Sequence, residues 1–270
     1  MILQLQPTSR SIACLATALL AISVSGCGSA ETAGCDDDSP PYTVKAELFE
    51  QDRPNDLGLE RAAGTKTVTV FRPTDDGNTY NHGAVLMPFK GRLYAQWQTS
   101  RRDEDAADTH VVYSSSADGI NWSPPVVRAP EWPGGIRTSG GWWSDGETLI
   151  AYINEWPTQG DKRAAGYTRF VASTDGRNWS DPADVVSASG ARVDGVFEQD
   201  PRALNDGRII GAFHLQPGLI VSPSYTDSPL GVSGWFRGDM PNLPHDDLDS
   251  SRELEPSSFV RGDGAIVMIF

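Results

Sequence analysis

The sequence predicts an all-β chain, a β-propeller of four-stranded antiparallel blades with about four blades present in 270 residues. Three observations predict it. A turn motif recurs at a spacing of 57 residues, a series of glycine-led strands keeps nearly the same period, and no stretch has the apolar spacing of a convincing helix. A period of this length with four short strands per unit is the mark of a propeller.

The turn motif is Ser116-Ala117-Asp118-Gly119-Ile120-Asn121-Trp122, repeated as Ser173-Thr174-Asp175-Gly176-Arg177-Asn178-Trp179. Asp and Ser bond backbone groups across a tight turn, Gly takes the positive-φ position, and Trp packs beneath. Each copy follows an alternating run, Val111 to Ser115 and Thr168 to Ala172, that reads as a strand. A degenerate third turn lies between Ser224 and Trp235. The second series starts at Gly91, Gly146, Gly207 and Gly264, with spacings of 55, 61 and 57. In the first blade the strands are expected at about 83–89, 92–98, 110–116 and 124–128. Phe270 falls inside the second strand of the fourth unit, so the sequence reads as the N-terminal part of a longer protein.

Composition narrows the function. Gly 27, Pro 19 and Trp 8 make a turn-rich, aromatic chain, and 21% charged with 39% hydrophobic residues excludes a long coiled helix and global disorder. Acidic residues outnumber basic ones 36 to 22, for a net charge of −14, which argues against nucleic acid as a partner. An anionic small ligand stays open, because a local basic pocket can sit on an acidic protein.

Residues 1–26 read as a leader, with an apolar, small-residue run from Ser11 to Val24 too short to span a bilayer. The run ends in Val24-Ser25-Gly26-Cys27, which is similar to the lipobox of bacterial lipoproteins. That resemblance implies cleavage before Cys27, acylation of Cys27, membrane contact through the lipid anchor only, and a place in the bacterial cell envelope outside the cytoplasm, at the outer membrane or cell surface. Cys14 leaves with the leader and Cys35 is then alone, so no disulfide is expected. Residues 27–41 are small, acidic and Pro-terminated, as a flexible tether is. The propeller is expected over 42–270.

Ser-x-Asp-Gly-x-x-Trp resembles the Asp box, or BNR repeat, of the sialidase superfamily, over roughly residues 65–270. The resemblance implies six or seven blades when complete, with the Asp boxes at the periphery. Asp118 and Asp175 are thereby structural. Candidate site residues come from the repeat phase. Nine residues before the marker glycines stand His82, Arg137, Glu198 and Glu255, all polar where an inner strand starts. Either they line a site near the axis or they form a structural ring of ion pairs. The second strands return to the same face with Gln98, Arg101, Arg102, Asp103, Glu155 and His214, and the third strands leave it with His110, Tyr167 and Arg169. Trp97, Trp142 and Trp156 are candidate stacking surfaces, each more readily explained as core.

The sialidase resemblance implies an arginine triad, a Tyr nucleophile activated by Glu, and an Asp acid, for which Asp103 or Asp105 stands available. Tyr80-Asn81-His82-Gly83 occupies the place of that family's first arginine motif, and the arginine is missing. Asn81-His82, the strand from Gly91 to Trp97, Asp103-Glu104-Asp105 before His110, and Glu255-Pro256 are similar to propeller polysaccharide lyases of the ulvan-lyase kind. That resemblance implies β-elimination on a uronic-acid polysaccharide. His82, His110 and Tyr167, with Tyr152 nearby, would move protons, and Arg137 would hold the carboxylate. Arg169, Glu155, Glu198, His214 and Glu255 would contact the acidic glycan. An exo-sialidase-like hydrolase and a non-catalytic glycan-binding lipoprotein are the alternatives. The four histidines lack metal-site spacing, His245 reads as a loop residue, and no phosphate loop, nucleophile elbow or catalytic Cys is present, so no metal and no cofactor are expected.

Overall fold

The computed structural model describes residues 2–3, 45, 47–159, 162–215, 220–240 and 253–270. Cys14, Cys27, Cys35, His245 and the stretch 27–41 expected to be a tether lie outside them, as does the expected leader apart from residues 2–3. Contacts divide the chain into one unit ending at Thr65 and another spanning Lys66–Phe270. Residues 47–65 of the first are a succession of turns, closed by the bond from Glu50 N to Leu57 O and the Arg53–Asp56 ion pair.

The second unit is a set of antiparallel sheets, with no helix among the described residues. The first blade orders Tyr80–Phe89, Arg92–Ser100, His110–Ser116 and Val126–Ala129 side by side, within three residues of the expected bounds. Its first hairpin turns on two residues, Lys90 and Gly91, both at positive φ (45° and 74°), a turn whose twist matches that of the strands. The second blade runs Gly135–Ser144, Leu149–Gln159, Tyr167–Ser173 and Ala183–Asp184, with the short Lys162–Arg163 strand added beside Leu149–Gln159. In the third blade the inner strand is broken into Val196–Phe197 and Arg202–Ala203. Both pieces pair with Ile209–Leu215, followed by Ile220–Thr226 and Phe236–Arg237. Ser257–Val260 and Ile266–Ile269 form the opening hairpin of a fourth blade. The described residues thus hold three four-layered blades and the start of another. The β-propeller reading of the repeat stands.

The two turn motifs fold alike because their bonding is local. Asp118 Oδ1 accepts from the backbone N–H of Ile120 and Asn121, and Oδ2 accepts from Asn121 Nδ2. Asp175 repeats this with Arg177 and Asn178. The donors hold both carboxyls well below the usual carboxylate range. Gly119 and Gly176 sit at φ of 70° and 68°, open to glycine at little cost. The third turn keeps the Trp without the Asp. Thr226 Oγ1 spans it instead, accepting from Ser228 N and donating to Ser233 O, and Trp235 is buried.

The core lies between blades. The first five residues of Leu149–Gln159 are apolar on both faces, and their side chains alternate between two neighbours. Leu149, Ala151 and Ile153 join Phe89, Tyr94, Val111 and Trp142 on the first-blade side. Ile150 and Tyr152 join Phe197, Ile209, Phe213 and Trp235 on the third-blade side. Trp142 and Tyr152 are fully buried, each stabilising the fold by roughly 2–3 kcal/mol through burial alone. Two expectations are thereby corrected. Trp142 is core and offers no stacking surface, and Tyr152 is core and reaches no mouth, its hydroxyl donating to Gly231 O. Arg128 ties the first two blades together, its guanidinium 4.0 Å from the ring centre of Tyr113 and 3.7 Å from that of Trp179.

Candidate functional site

A bulge interrupts each complete inner strand near the same end. It lies between His82 and Val85, between Ser139 and Trp142, and over residues 198–201 of the third blade. Bulges turn side chains out of the ladder. Gly83 makes the first one, at φ 63°, where a β-carbon would stand 2.8 Å from Gln98 Oε1. Gly141 makes the second, at φ 83°, and a β-carbon there would strike the Asp200 carboxylate. Asp200 Oδ1 accepts from the Trp142 N–H, which the bulge frees from the ladder, so the third bulge is fastened onto the second. Burial pushes the Asp200 carboxyl up to about 7, against the pull of that N–H.

Between these bulges opens a cavity of about 330 Å³. Its floor is buried amides that are already engaged. Gln98 Oε1 accepts from Ser139 N, and Asn154 Nδ2 donates to Phe197 O at 2.6 Å; deeper, outside the lining, Gln96 Nε2 donates to Tyr152 O. Thr138, Ser139 and Trp156 form one side. The ionisable groups in its lining are His82, Glu104, Glu198 and Glu255; among the described residues no Arg or Lys lines it. Glu198 is the most constrained of them. Its Oε1 lies 2.8 Å from His214 Nδ1, and its Oε2 accepts from the backbone N of Glu255 at 2.8 Å. Glu104 receives a long contact of 3.4 Å from the Tyr80 hydroxyl.

The repeat phase therefore brings three of its four residues together: His82, Glu198 and Glu255 share the cavity. His214 stands directly behind Glu198. Arg137 is the exception, and alternation explains it. Its neighbour Thr138 lines the cavity, so Arg137, one residue earlier, projects from the opposite face. There it joins a second cluster. Arg137 Nε and Nη2 both reach Glu155 Oε1 (3.0 and 2.8 Å), Nη1 donates to Pro130 O, and the Tyr167 hydroxyl donates to Glu155 Oε2 at 2.8 Å. Arg169 completes the cluster, 3.7 Å from Glu155 and 3.2 Å from Asp184. Burial, then the hydrogen bond to Glu155 and its charge, raise the Tyr167 hydroxyl above its ordinary range, and Arg192 stacks on its ring at 3.7 Å. Tyr167 is thus held protonated, a donor to Glu155. His110 occupies the matching position of the first blade, opposite Thr99 as Tyr167 is opposite Glu155, and its Nδ1 lies 2.8 Å from Asp108 O.

The expected site is corrected in this respect: Arg137, Glu155, Tyr167, Arg169 and His110 do not line the cavity that His82, Glu198 and Glu255 share, and neither does His214, which is buried behind Glu198. An arginine grip on a substrate carboxylate at that mouth has no group to make it among the described residues. Sequence reasoning missed Glu104, which lies between the two aspartates it considered. Asp103 is turned onto Arg102 Nε at 2.6 Å. The signal for Glu104 was the acidic loop itself, read one residue off.

With the fold and this geometry in hand, comparison places the chain. The BNR repeat-like domain family matches residues 91–270, more than half of the sequence. The chain belongs to that family, and its fold is the sialidase-like β-propeller. No curated protein matches. Among solved structures, a protein of unknown function from Dyadobacter fermentans is similar with a TM-score of 0.56 and 16% identity, over 74% of this chain and 64% of that one. A family 117 glycoside hydrolase from Zobellia galactanivorans gives 0.49 and 16%, over 74% and 66%. The sialidase of Trypanosoma rangeli gives 0.46 and 17%, over 70% and 33%. The chain thus spans less than two-thirds of the length of each of these relatives, and the likeness is one of fold.

Proposed function

We propose that the cavity between the inner-strand bulges processes a glycan by carboxylate acid–base chemistry. The observation that carries this is the convergence of Glu104, Glu198, Glu255 and His82 on one polar cavity. Carboxyl groups in different hydrogen-bonding surroundings can divide the roles of proton donor and acceptor in glycoside hydrolysis. A neutral sugar suits this lining better than an anionic one, because carboxylates repel a uronate and accept hydrogen bonds from sugar hydroxyls. Cleavage of a glycosidic bond by water is therefore the leading reaction.

A second reading, β-elimination on a uronic-acid polysaccharide, is supported by His82. Its side chain is exposed in the cavity and makes no hydrogen bond among the described residues, so it is available to move a proton. The acylated Cys27 and an extracytoplasmic, membrane-tethered location belong to the same proposal and rest on Val24-Ser25-Gly26-Cys27. The test incubates the full chain with neutral and uronate polysaccharides and with sialosides. New reducing ends from a neutral polymer support hydrolysis. Ultraviolet-absorbing unsaturated ends from a uronate polymer move the assignment to elimination, and free sialic acid moves it to a sialidase. Binding without any product makes the protein a glycan-binding one. For the anchor, wild type and Cys27→Ala are fractionated from a bacterial host, and equal partition to the soluble fraction overturns the lipid.

A further inference from the structure

We infer, resting on that reading of the cavity, that Glu198 is its proton acceptor and that the buried His214 is the positioning residue that holds it. His214 lies on Ile209–Leu215 opposite Val196, packed edge-on to Trp156 with ring centroids 6.0 Å apart. Its side chain is only 3% exposed. Nδ1 stands 2.8 Å from Glu198 Oε1, while Nε2 is buried with no hydrogen-bond partner among the described residues. This asymmetry selects a tautomer. A proton on Nε2 would bury a donor that has no acceptor and turn the Nδ1 lone pair toward a carboxylate. A proton on Nδ1 avoids both. A doubly protonated ring would again strand the Nε2–H. The neutral ring with Nδ1–H donating to Glu198 is the arrangement the surroundings permit.

The consequence falls on Glu198. One oxygen accepts from His214 on the third blade and the other from the Glu255 N–H at the start of the fourth. Two fixed donors on opposite oxygens stop the carboxylate from rotating and leave its remaining lone pairs for the cavity. That suits an acceptor of a proton from water or from a sugar carbon. Glu104 and Glu255 are exposed and have no such pair of donors among the described residues, so the donor role falls to one of them.

The experiment has one arm without substrate. Long-range proton–nitrogen correlation on full-length protein labelled at histidine with nitrogen-15 reads the His214 tautomer, with His214→Asn giving the assignment. A neutral ring protonated at Nδ1 is expected, and protonation at Nε2 overturns the positioning. The second arm measures turnover of whichever glycan the wild type cleaves. Glu198→Gln should lower kcat by about 100-fold or more. His214→Leu, which keeps the bulk and deletes the donor, should lower kcat by about tenfold with KM unchanged. His214→Asn, whose Nδ2 takes the place of Nδ1, should recover most of that loss. Equal losses in the Leu and Asn variants, tracking a fall in melting temperature, overturn the proposal by reducing His214 to packing. If the wild type cleaves nothing, the acceptor assignment falls with the functional reading, while the tautomer still decides whether His214 holds Glu198.

Discussion

Around Glu155, Arg137 and Arg169 meet the carboxylate and nearby carbonyl or carboxylate oxygens, and Tyr167 donates to the same Glu. Around the cavity, Glu104 meets a hydroxyl and Glu198 an imidazole and the backbone N–H of Glu255, and no arginine lines the space among the described residues. Both regions lie near the same strand ends and draw on the same residue types. The first is a self-neutralised cross-tie within the second blade, closed to a ligand by its own pairing. The second leaves acceptor capacity facing open space. What separates them is a single step along a strand, Arg137 to Thr138, because side chains alternate faces with a period of two. Titratable residues at a strand end mark a site only once their face is known.

Substitutions can break this contrast. The largest effect is expected at Glu155. Removing one member of a buried ion pair strands the others, so Glu155→Ala should cost roughly 3–5 kcal/mol in unfolding free energy. Its turnover at a temperature where it stays folded should remain near wild type. Denaturant titration beside an activity assay checks both, and a variant that is stable but inactive would move the site to this cluster. The reverse pattern, near-normal stability with lost turnover, is expected of Glu198→Gln.

The next effect is pH-dependent. The Asp200 carboxyl is raised to about 7 in the folded protein, from about 4 in an unfolded chain. Its contribution is therefore most favourable below about pH 4 and is lost as pH rises through 7. Asp200→Asn keeps an oxygen for the Trp142 N–H and removes the charge. Its stability should be flatter between about pH 4 and 7 than that of wild type, by up to a few kcal/mol, as melting temperatures across a pH series would read. Parallel curves for the two proteins would place the titration elsewhere. The smallest effect belongs to the Asp boxes. Asp118→Ala loses the acceptor that shapes an exposed turn and should lower the melting temperature only slightly, with no change in turnover, and a large loss of activity would contradict a structural role.

The parts of the molecule that were legible in the sequence are those governed by short-range rules. The Ser-x-Asp-Gly-x-x-Trp turns could be read because every bond that shapes them lies within three residues of Asp118 or Asp175. The glycine series gave the period but not the phase. Gly91 belongs to a two-residue hairpin, Phe89 pairing with Arg92, whereas Gly146 lies in a longer loop between Ser144 and Leu149. Phe89 and Trp142 stand at even offsets from their glycines yet meet in one core between the first two blades, so the same count of nine lands on different faces of the two sheets, which is how Arg137 came to be grouped with His82. Glu104 sits on an irregular connection with no periodicity to read. Tyr152 looked like a mouth residue because its strand ends there, yet it lies in the doubly buried part of that strand.

The amides under the cavity have a consequence for how the molecule opens. Gln96 and Gln98 reach from the first blade to Tyr152 O and Ser139 N of the second, and Asn154 reaches from the second to Phe197 O of the third. Asp200 closes back from the third to the second at Trp142. Each tie joins the backbone of one sheet to a side chain of the next, so no sheet can fray here without releasing its neighbour. The amide protons of Ser139, Trp142 and Phe197 should exchange with solvent deuterium together, at the rate of whole-unit opening, rather than through separate local excursions. The floor of the cavity is then the slowest-exchanging patch of the protein, while the carboxylates above it remain in rapid contact with water.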